Sequence, residues 1–347
     1  MNKDFTQVVW DKKLASDVRM LIRLAMIEDL DGKGDLTTQA LVSEESVCEA
    51  SVRARENGII AGLAAVPVIL ALKDSNLQWM PTVEDGDSVA AGDLLGTLSG
   101  SVASILTIER IVLNLVGKLS GIATLTKRYL DEVQGTNVRV YDTRKTTLGW
   151  RKLEKYAVHC GGGMNHRTGL YDAILIKDNH LVYGQKIPGD ESQGIRQSVE
   201  KAKTWIKQAV AEGAFDDSDA RTISKFKSCG IQVQSQQTAS NQYKSCGVNV
   251  SAKPSAEPIV EVEVDTLEQL ADVLPACPDI VLLDNMTVDQ LREAVAIRNA
   301  AGVATELEAS GGINLKTIRQ VAMTGVERIS CGALTHSAIS LDVGLDF

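Results

Sequence analysis

Residues 259–335 read IVEVEVDTLEQLADVLPACPDIVLLDNMTVDQLREAVAIRNAAGVATELEASGGINLKTIRQVAMTGVERISCGALT. Short apolar runs (IVEVEVD, DIVLLDN, TELEASGGI, ERISCGALT) alternate with segments of helical spacing (LEQLADVL, TVDQLREAVAIRNA, NLKTIRQVAMTG). Strands joined through helices lie parallel in one sheet, because only a crossover can return the chain in the same direction. Working outward, VRVYDTRK at 138–145 and DAILIKDNH at 172–180 continue the rhythm. Nearly every run ends in polar or glycine residues: Arg144 and Lys145; Lys177, Asp178, Asn179 and His180; Asp284 and Asn285; Ser310, Gly311 and Gly312; Gly332. Exposed loops alone make any single strand end polar. Recurrence along the whole series predicts a ligand site at the carboxyl ends of a parallel barrel.

Before residue 137 the pattern differs. Residues 14–30 have helical periodicity, 47–63 alternate like strands around a glycine turn, and 64–73 look like a short helix. PTVEDGDSVAAGDLLGTLSG at 81–100 reads as strand, tight turn, strand. Residues 103–133 form a long amphipathic helical stretch in which Gly117 and Gly121 mark points of close packing. The chain is therefore read as an α+β domain over 1–136 and an α/β barrel over 137–347. The barrel is interrupted at about 190–256 by an insertion whose early part (QSVEKAKTWIKQAVAEG) has helical character. That insertion is too long for an ordinary structureless loop.

The 347 residues are 44% hydrophobic but only 4% aromatic, which predicts a largely aliphatic core. A net charge of −9 argues against nucleic-acid or membrane-surface binding, so an anion site must be a local concentration of cations. No apolar stretch is long enough to span a bilayer, and the N-terminus lacks the apolar core of a secretion signal. Cys48, Cys160, Cys229, Cys246, Cys277 and Cys331 are widely separated, with no CxxC pair. Free thiols in a reducing cytoplasm are expected rather than structural zinc.

The cations collect between Arg144 and Lys177: Arg144, Lys145, Arg151, Lys152, His166, Arg167 and Lys177. Lys152 and Lys155 are read as a solvated basic face, whereas His166 and Arg167 follow the glycine-rich turn GGGMN, where backbone approaches a ligand closely. Arginine suits bidentate carboxylate or phosphate recognition. Ser310, Gly311 and Gly312 directly precede the helical segment NLKTIRQVA, a pattern that seats phosphate, with Gly332 completing it. Glu263 and Asp284 lie on successive strands and can converge on Mg²⁺ or sugar hydroxyls. Glu261 shares the parity of Glu263 and points to the same side. There is no Ser-His-Asp constellation, and the four histidines show no HExxH spacing. What remains is positioning and charge stabilisation of a phosphorylated polyanion.

DTRKTTLGWRKLEKYAVHCGGGMNHRTGLYDAILIKDNH at 142–180 resembles the signature block of the quinolinate phosphoribosyltransferase family. EDLDGKGDLTT, ERIVLNLVGKLSGIATLT, EVEVDTLEQL, VLLDN, EASGGI and RISCGALTHS are further similarities in the family's order. The resemblance implies an open α+β sandwich followed by an incomplete, about seven-stranded α/β barrel. It implies a homodimer with a shared active site, Mg²⁺, and reaction of quinolinate with phosphoribosyl pyrophosphate to give nicotinate mononucleotide, pyrophosphate and CO₂. By position, Arg110 would reach quinolinate in the partner subunit. Arg144, His166, Arg167 and Lys177 would line the dicarboxylate pocket, with Lys145 toward the phosphates. Glu263 and Asp284 would hold ribose hydroxyls and metal, and Ser310, Gly311, Gly312, Gly332 and His336 would seat the 5′-phosphate. Leu148 departs from the proline the family's loop carries there, and the insertion departs from its short loop. Two alternatives are a paralogous phosphoribosyltransferase of the molybdenum-associated type, acting on another small acid, and a lipoyl- or biotinyl-like carrier module suggested by residues 81–100. FDDSDARTIS at 215–224 hints at another phosphoribosyltransferase fold, but no apolar strand precedes it.

Overall fold

The structure, a computed structural model, describes residues 3–184, 194–215 and 257–347. Ahead of the long helix lie β1 (Val47–Ala54), β2 (Gly58–Ile59), β3 (Gln78–Pro81), β4 (Ser88–Val89) and β5 (Leu94–Ser101). After it come β6 (Arg139–Tyr141), β7 (Ala173–Ile176), β8 (Ile259–Val264), β9 (Ile280–Asp284), β10 (Glu306–Ser310), β11 (Arg328–Ser330) and β12 (Val343–Asp346).

The first domain is built on an antiparallel sheet in the order β12-β1-β5-β3, with β2 and β4 forming a separate pair. The segment at 81–100 is therefore not one hairpin: β4 pairs with β2, whereas β5 pairs with β1 and β3. That division removes the shape on which a carrier-module reading rested. The helix Lys12–Leu30 starts at Asp11, whose carboxylate accepts the Leu14 N–H at 2.7 Å. It buries Leu14, Val18 and Ile22 at four-residue spacing and leaves Met20, Leu24 and Ile27 exposed.

The 31-residue helix Val102–Glu132 buries Ile105, Ile108, Val112, Leu115, Val116, Leu119 and Ile122. Its glycines have a specific purpose. A Cβ on Gly121 would stand 2.0 Å from the Ile339 carbonyl oxygen, and one on Gly117 would stand 2.8 Å from that of Leu341. The strand leading to β12 crosses the helix at this point, with Leu341 N–H donating to the Gly117 carbonyl at 2.9 Å. Beyond the crossing, β12 pairs with β1, Ala54 facing Val343 and Ser51 facing Asp346. The first domain is thus closed by the far end of the chain, a pairing that the linear division at residue 136 did not anticipate.

The second domain is a parallel sheet in the order β6-β11-β10-β9-β8-β7. Six strands form among the described residues, against the expected seven; at the β6 edge a single parallel bridge, Tyr141 to Met164, extends the sheet. The helix Ile195–Ala211 buries Ile195, Val199, Ile206 and Ala209 and packs against β7 and β8. It is the crossover between those two strands and takes up the first part of the stretch read as an insertion. Residues 216–256, which include most of FDDSDARTIS and the thiols Cys229 and Cys246, lie outside the described residues.

Asp85 ties the two domains together. Its carboxylate accepts from Leu63 N–H at 2.8 Å and Ala64 N–H at 3.2 Å in the first domain, and from the Tyr156 hydroxyl at 2.7 Å in the second. Burial pushes this carboxyl above its ordinary value, opposed by the Tyr156 hydroxyl and by the backbone N–H groups of Leu63, Ala64 and Gly62.

Gly121→Ala should separate the C-terminal segment from the long helix and cost about 1–3 kcal/mol, the usual range for overpacking. A urea unfolding midpoint equal to that of the unaltered protein would show that the crossing has slack.

Candidate active site

Register and parity decide which side chains meet inside the barrel. Glu263 on β8 faces Leu282 on β9, and Asp284 on β9 faces Ser310 on β10. Side chains two residues apart on a strand share a face. Glu263, Asp284 and Ser310 therefore share one face near the carboxyl ends of β8, β9 and β10, Asp284 level with Ser310 and Glu263 level with Leu282. Lys177, the residue after β7, joins them through an ion pair with Glu263. The structure thus brings together Lys177, Glu263, Asp284 and Ser310 at one mouth, as the strand-end reading expected.

Gly311 and Gly312 continue from Ser310 with φ of +96° and +61°, in the left-handed region that glycine tolerates. A Cβ on Gly311 would meet the Asn285 side chain at 2.2 Å, so this loop wraps tightly round the end of β9. The following helix does not begin where the sequence placed it. It spans only Ile318–Ala322, and the intervening Asn314–Thr317 turn is closed by its own side chains. Any phosphate seat here consists of the glycine backbone rather than a helix terminus. Across the mouth, Gly332 has Lys145 Cδ and His336 Nε2 within 3.0 and 3.2 Å of where its Cβ would lie, so those three cluster. The Lys145 carbonyl accepts the Thr335 hydroxyl at 2.7 Å, which pins the loop after β6 to the loop after β11.

Arg144 is half-buried in the same loop, and its Nε is buried without a hydrogen-bond partner. A donor left in that condition costs roughly 1–3 kcal/mol, which an acceptor on a ligand would recover. Arg151 braces the loop, donating to the Thr146 hydroxyl at 3.1 Å and the Thr168 carbonyl at 3.3 Å.

His166 and Arg167 lie one tier deeper, each about nine-tenths or more buried. The Arg167 backbone N–H donates to His166 Nδ1 at 2.8 Å, which leaves Nε2 as the protonated nitrogen. Nε2 lies 3.1 Å from Glu261 and 3.5 Å from Glu308. Arg167 donates through Nη1 to the Ala173 carbonyl at 3.2 Å. His166 is thus part of the floor, with both ring nitrogens committed to protein. Lys155 departs from expectation. Instead of belonging to a solvated face it is fully buried in an ion pair with Asp142, and it donates to the His166 carbonyl at 2.8 Å. Asp142 also accepts the His166 N–H at 2.9 Å and the Asn165 amide at 2.8 Å. The turn carrying His166 is therefore fixed from beneath. Burial lowers the basicity of Lys155 and raises the Asp142 carboxyl, each opposed by the other's charge.

Arg110 stands apart. It is exposed on the long helix, in a groove of about 620 Å³ that it shares with Asn114, Lys118, Thr147 and Trp150. None of Lys177, Glu263, Asp284 or Ser310 lines that groove.

Sequence reasoning missed Glu308, Arg328, Asp142 and Asn165. The first two were within reach of the parity argument: Glu308 precedes Ser310 by two residues as Glu261 precedes Glu263, and Arg328 faces Glu308 across β10 and β11. Nothing local marked Asp142 or Asn165, which meet only because a parallel bridge brings Met164 beside Tyr141.

Comparisons with known proteins agree with this architecture. Family models described as quinolinate phosphoribosyl transferase N-terminal domain and C-terminal domain match residues 35–120 and residues 122–212 and 223–346, respectively. A probable nicotinate-nucleotide pyrophosphorylase [carboxylating] of Bacillus subtilis is 35% identical over 95% of this chain and 93% of its own. A nicotinate-nucleotide pyrophosphorylase [carboxylating] of Mycobacterium leprae is 37% identical, covering 94% of this chain and 96% of its own. Among solved structures, the nicotinate-nucleotide pyrophosphorylase from Francisella tularensis superposes with a TM-score of 0.76 at 32% identity, covering 99% of both chains. With both domains matched in order and the barrel mouth assembled from the strand ends, this chain belongs to the quinolinate phosphoribosyltransferase family.

Proposed function

We propose that this chain joins quinolinate to phosphoribosyl pyrophosphate, giving nicotinate mononucleotide, pyrophosphate and CO₂ in NAD biosynthesis. The observation that carries the reading is the barrel mouth: Lys177, Glu263, Asp284 and Ser310 on four successive strand ends, with Arg144 and Lys145 on the loop after β6 and Lys145 beside Gly332. Family membership and the names of the relatives support the same reaction.

The chemistry follows from charge. Quinolinate is a dianion, and Arg144, Arg167 and Lys177 supply cations to a pocket whose floor includes His166. The unpartnered Nε of Arg144 is suited to a substrate carboxylate. Lys177 releases Glu263 when it turns to an anionic substrate. Glu263 and Asp284 then face the ribose, whose anomeric carbon becomes positive as pyrophosphate departs, and they stabilise that charge. Ser310, Gly311, Gly312 and Gly332, with Lys145 and His336, hold the 5′-phosphate through backbone N–H groups and a flanking cation. The pyridine nitrogen attacks the anomeric carbon. Once alkylated, the cationic nitrogen stabilises the electron pair left on the adjacent ring carbon as its carboxylate departs as CO₂, and that carbon then takes up a proton to give nicotinate mononucleotide. Mg²⁺ fits the donor set, since Glu263 and Asp284 are hard oxygen ligands on adjacent strands of the kind that bind it together with substrate phosphates. When bound it would neutralise charge on the leaving pyrophosphate.

A homodimer is part of this proposal. Arg110 is exposed and removed from its own chain's mouth, as a residue serving another subunit would be. The exposed apolar residues Met20, Leu24, Ile27, Leu36, Leu41 and Val47 give such a partner a surface to cover. Neither nucleic acid nor membrane is proposed as a partner, given the net charge of −9 and, among the described residues, no helix long and apolar enough to cross a bilayer. The described thiols of Cys48, Cys277 and Cys331 are free, which suits the cytoplasm.

The purified protein should release CO₂ from quinolinate only when phosphoribosyl pyrophosphate and Mg²⁺ are present. Release that is unaffected by omitting phosphoribosyl pyrophosphate would reject the reaction, and turnover of nicotinate without quinolinate turnover would favour a paralogous acid. Lys177→Ala should lower kcat/KM by about 100-fold or more, in line with removal of one electrostatic contact at a reacting centre. Unchanged kinetics would exclude Lys177 from the site. Arg110→Ala mixed with Lys177→Ala should recover activity through hybrid dimers, each holding one intact site, whereas a mixture as inactive as its components would count against a shared site.

A further inference from the structure

The mouth of the barrel is one end of a charged column, and the other end is occupied by the beginning of the chain. Phe5 is buried among Tyr141, Ala173, Ile259 and Ile280, three of which begin or nearly begin their strands. It plugs the amino-terminal opening, opposite the mouth. Its ring lies against the His166 imidazole, with centroids 4.3 Å apart and planes 33° apart. Beside it, Asp4 accepts from Arg328 Nη2 at 3.1 Å, Arg139 Nη1 at 2.9 Å and the Tyr141 hydroxyl. Arg328 is completely buried, stacked over Tyr141 at 3.9 Å, and its other nitrogens donate to Glu306 at 3.0 Å and Glu308 at 3.1 Å. Glu308 in turn faces His166 Nε2 at 3.5 Å.

Two paths therefore run from residues 4–5 to the same imidazole, and they touch where the Arg328 guanidinium lies 5.1 Å from the Phe5 ring centroid. One is the direct face contact of Phe5. The other is Asp4 to Arg328 to Glu308. The remaining contacts of His166 fix its backbone through Asp142 and Lys155, and its Nδ1 and Nε2 through Arg167 and Glu261. The open face of the ring is held by Phe5. We propose that Asp4 and Phe5 are positioning residues for the diacid pocket. They set the tilt of His166, and with it the height of the adjoining Arg167, from the opposite end of the barrel. This inference rests on the reading of His166 and Arg167 as the floor of the quinolinate pocket. It predicts an effect confined to one substrate, because Ser310–Gly312, Gly332 and Lys145 share no contact with Asp4 or Phe5 among the described residues.

Phe5→Ala, Phe5→Leu and Asp4→Asn should be compared with the unaltered enzyme in steady-state kinetics, and in ring-nitrogen NMR of protein labelled at its four histidines. Phe5→Ala is expected to raise KM for quinolinate on the order of 10-fold, leave KM for phosphoribosyl pyrophosphate within about twofold, and shift the His166 ring resonances. Phe5→Leu fills the same space without an aromatic face, so it should fold like the unaltered enzyme yet keep the quinolinate defect. Asp4→Asn preserves shape while weakening the hold on Arg328, and tests the second path if the alanine variant does not fold. Equal changes in both KM values, or none in any folded variant, would overturn the proposal. If the unaltered enzyme itself fails to use quinolinate, the functional reading falls. The NMR comparison still decides whether residues 4 and 5 set the imidazole, and unmoved His166 resonances in Phe5→Leu and Asp4→Asn would refute it.

Discussion

The structure depends on a buried guanidinium. Arg328 sits inside the barrel with no exposure to solvent and gathers three carboxylates, from Asp4, Glu306 and Glu308. An unpaired charge there would be prohibitively expensive, and removing one partner of a buried pair typically costs about 3–5 kcal/mol. The consequence is geometric. β10 and β11 must stay in the register that puts Glu308 opposite Arg328, and the same register carries Ser310 to the mouth.

The interior is consequently layered in a way that an apolar barrel is not. At the base, Phe5 and the aliphatic starts of β8 and β9 exclude water. Above them the Arg328 guanidinium is balanced at short range by Glu306, Glu308 and Asp4, and His166 Nε2 lies between Glu261 and Glu308. The uppermost residues, Lys177, Glu263 and Asp284, are partly exposed to solvent. Burial holds the lower ion pairs in place, and solvent access leaves the upper one labile. The same residue types thus sit in closed and open surroundings at different depths along one axis.

Much of this was legible in the sequence. The alternation of apolar runs and helical segments in 259–335 gave the parallel sheet, and strand ends gave Lys177, Glu263, Asp284 and Ser310 as neighbours, since that inference needs only period-two geometry and chain direction. Gly117 and Gly121 were read as close-packing points and meet the backbone of Ile339–Leu341. The failures have separate physical causes, one tertiary and two local. Lys155 resembled a solvated lysine because its counter-ion, Asp142, reaches it only through tertiary packing. The helix after Gly312 was placed too early because Asn314 and Thr317 close their own turn first, a competition that apolar periodicity does not register. The crossover Ile195–Ala211 was absorbed into the insertion because polar residues follow it without a break.

The pairing of β12 with β1 also bears on how the molecule is made. About 290 residues separate Ala54 from Val343. During synthesis the amino-terminal sheet must wait with one side of β1 unpaired while the barrel emerges from the ribosome. An open strand edge of that kind invites pairing with other nascent chains. Completing the first domain is therefore one of the last events of biogenesis rather than the first, and it couples the maturation of both halves to a few residues beyond the final barrel helix.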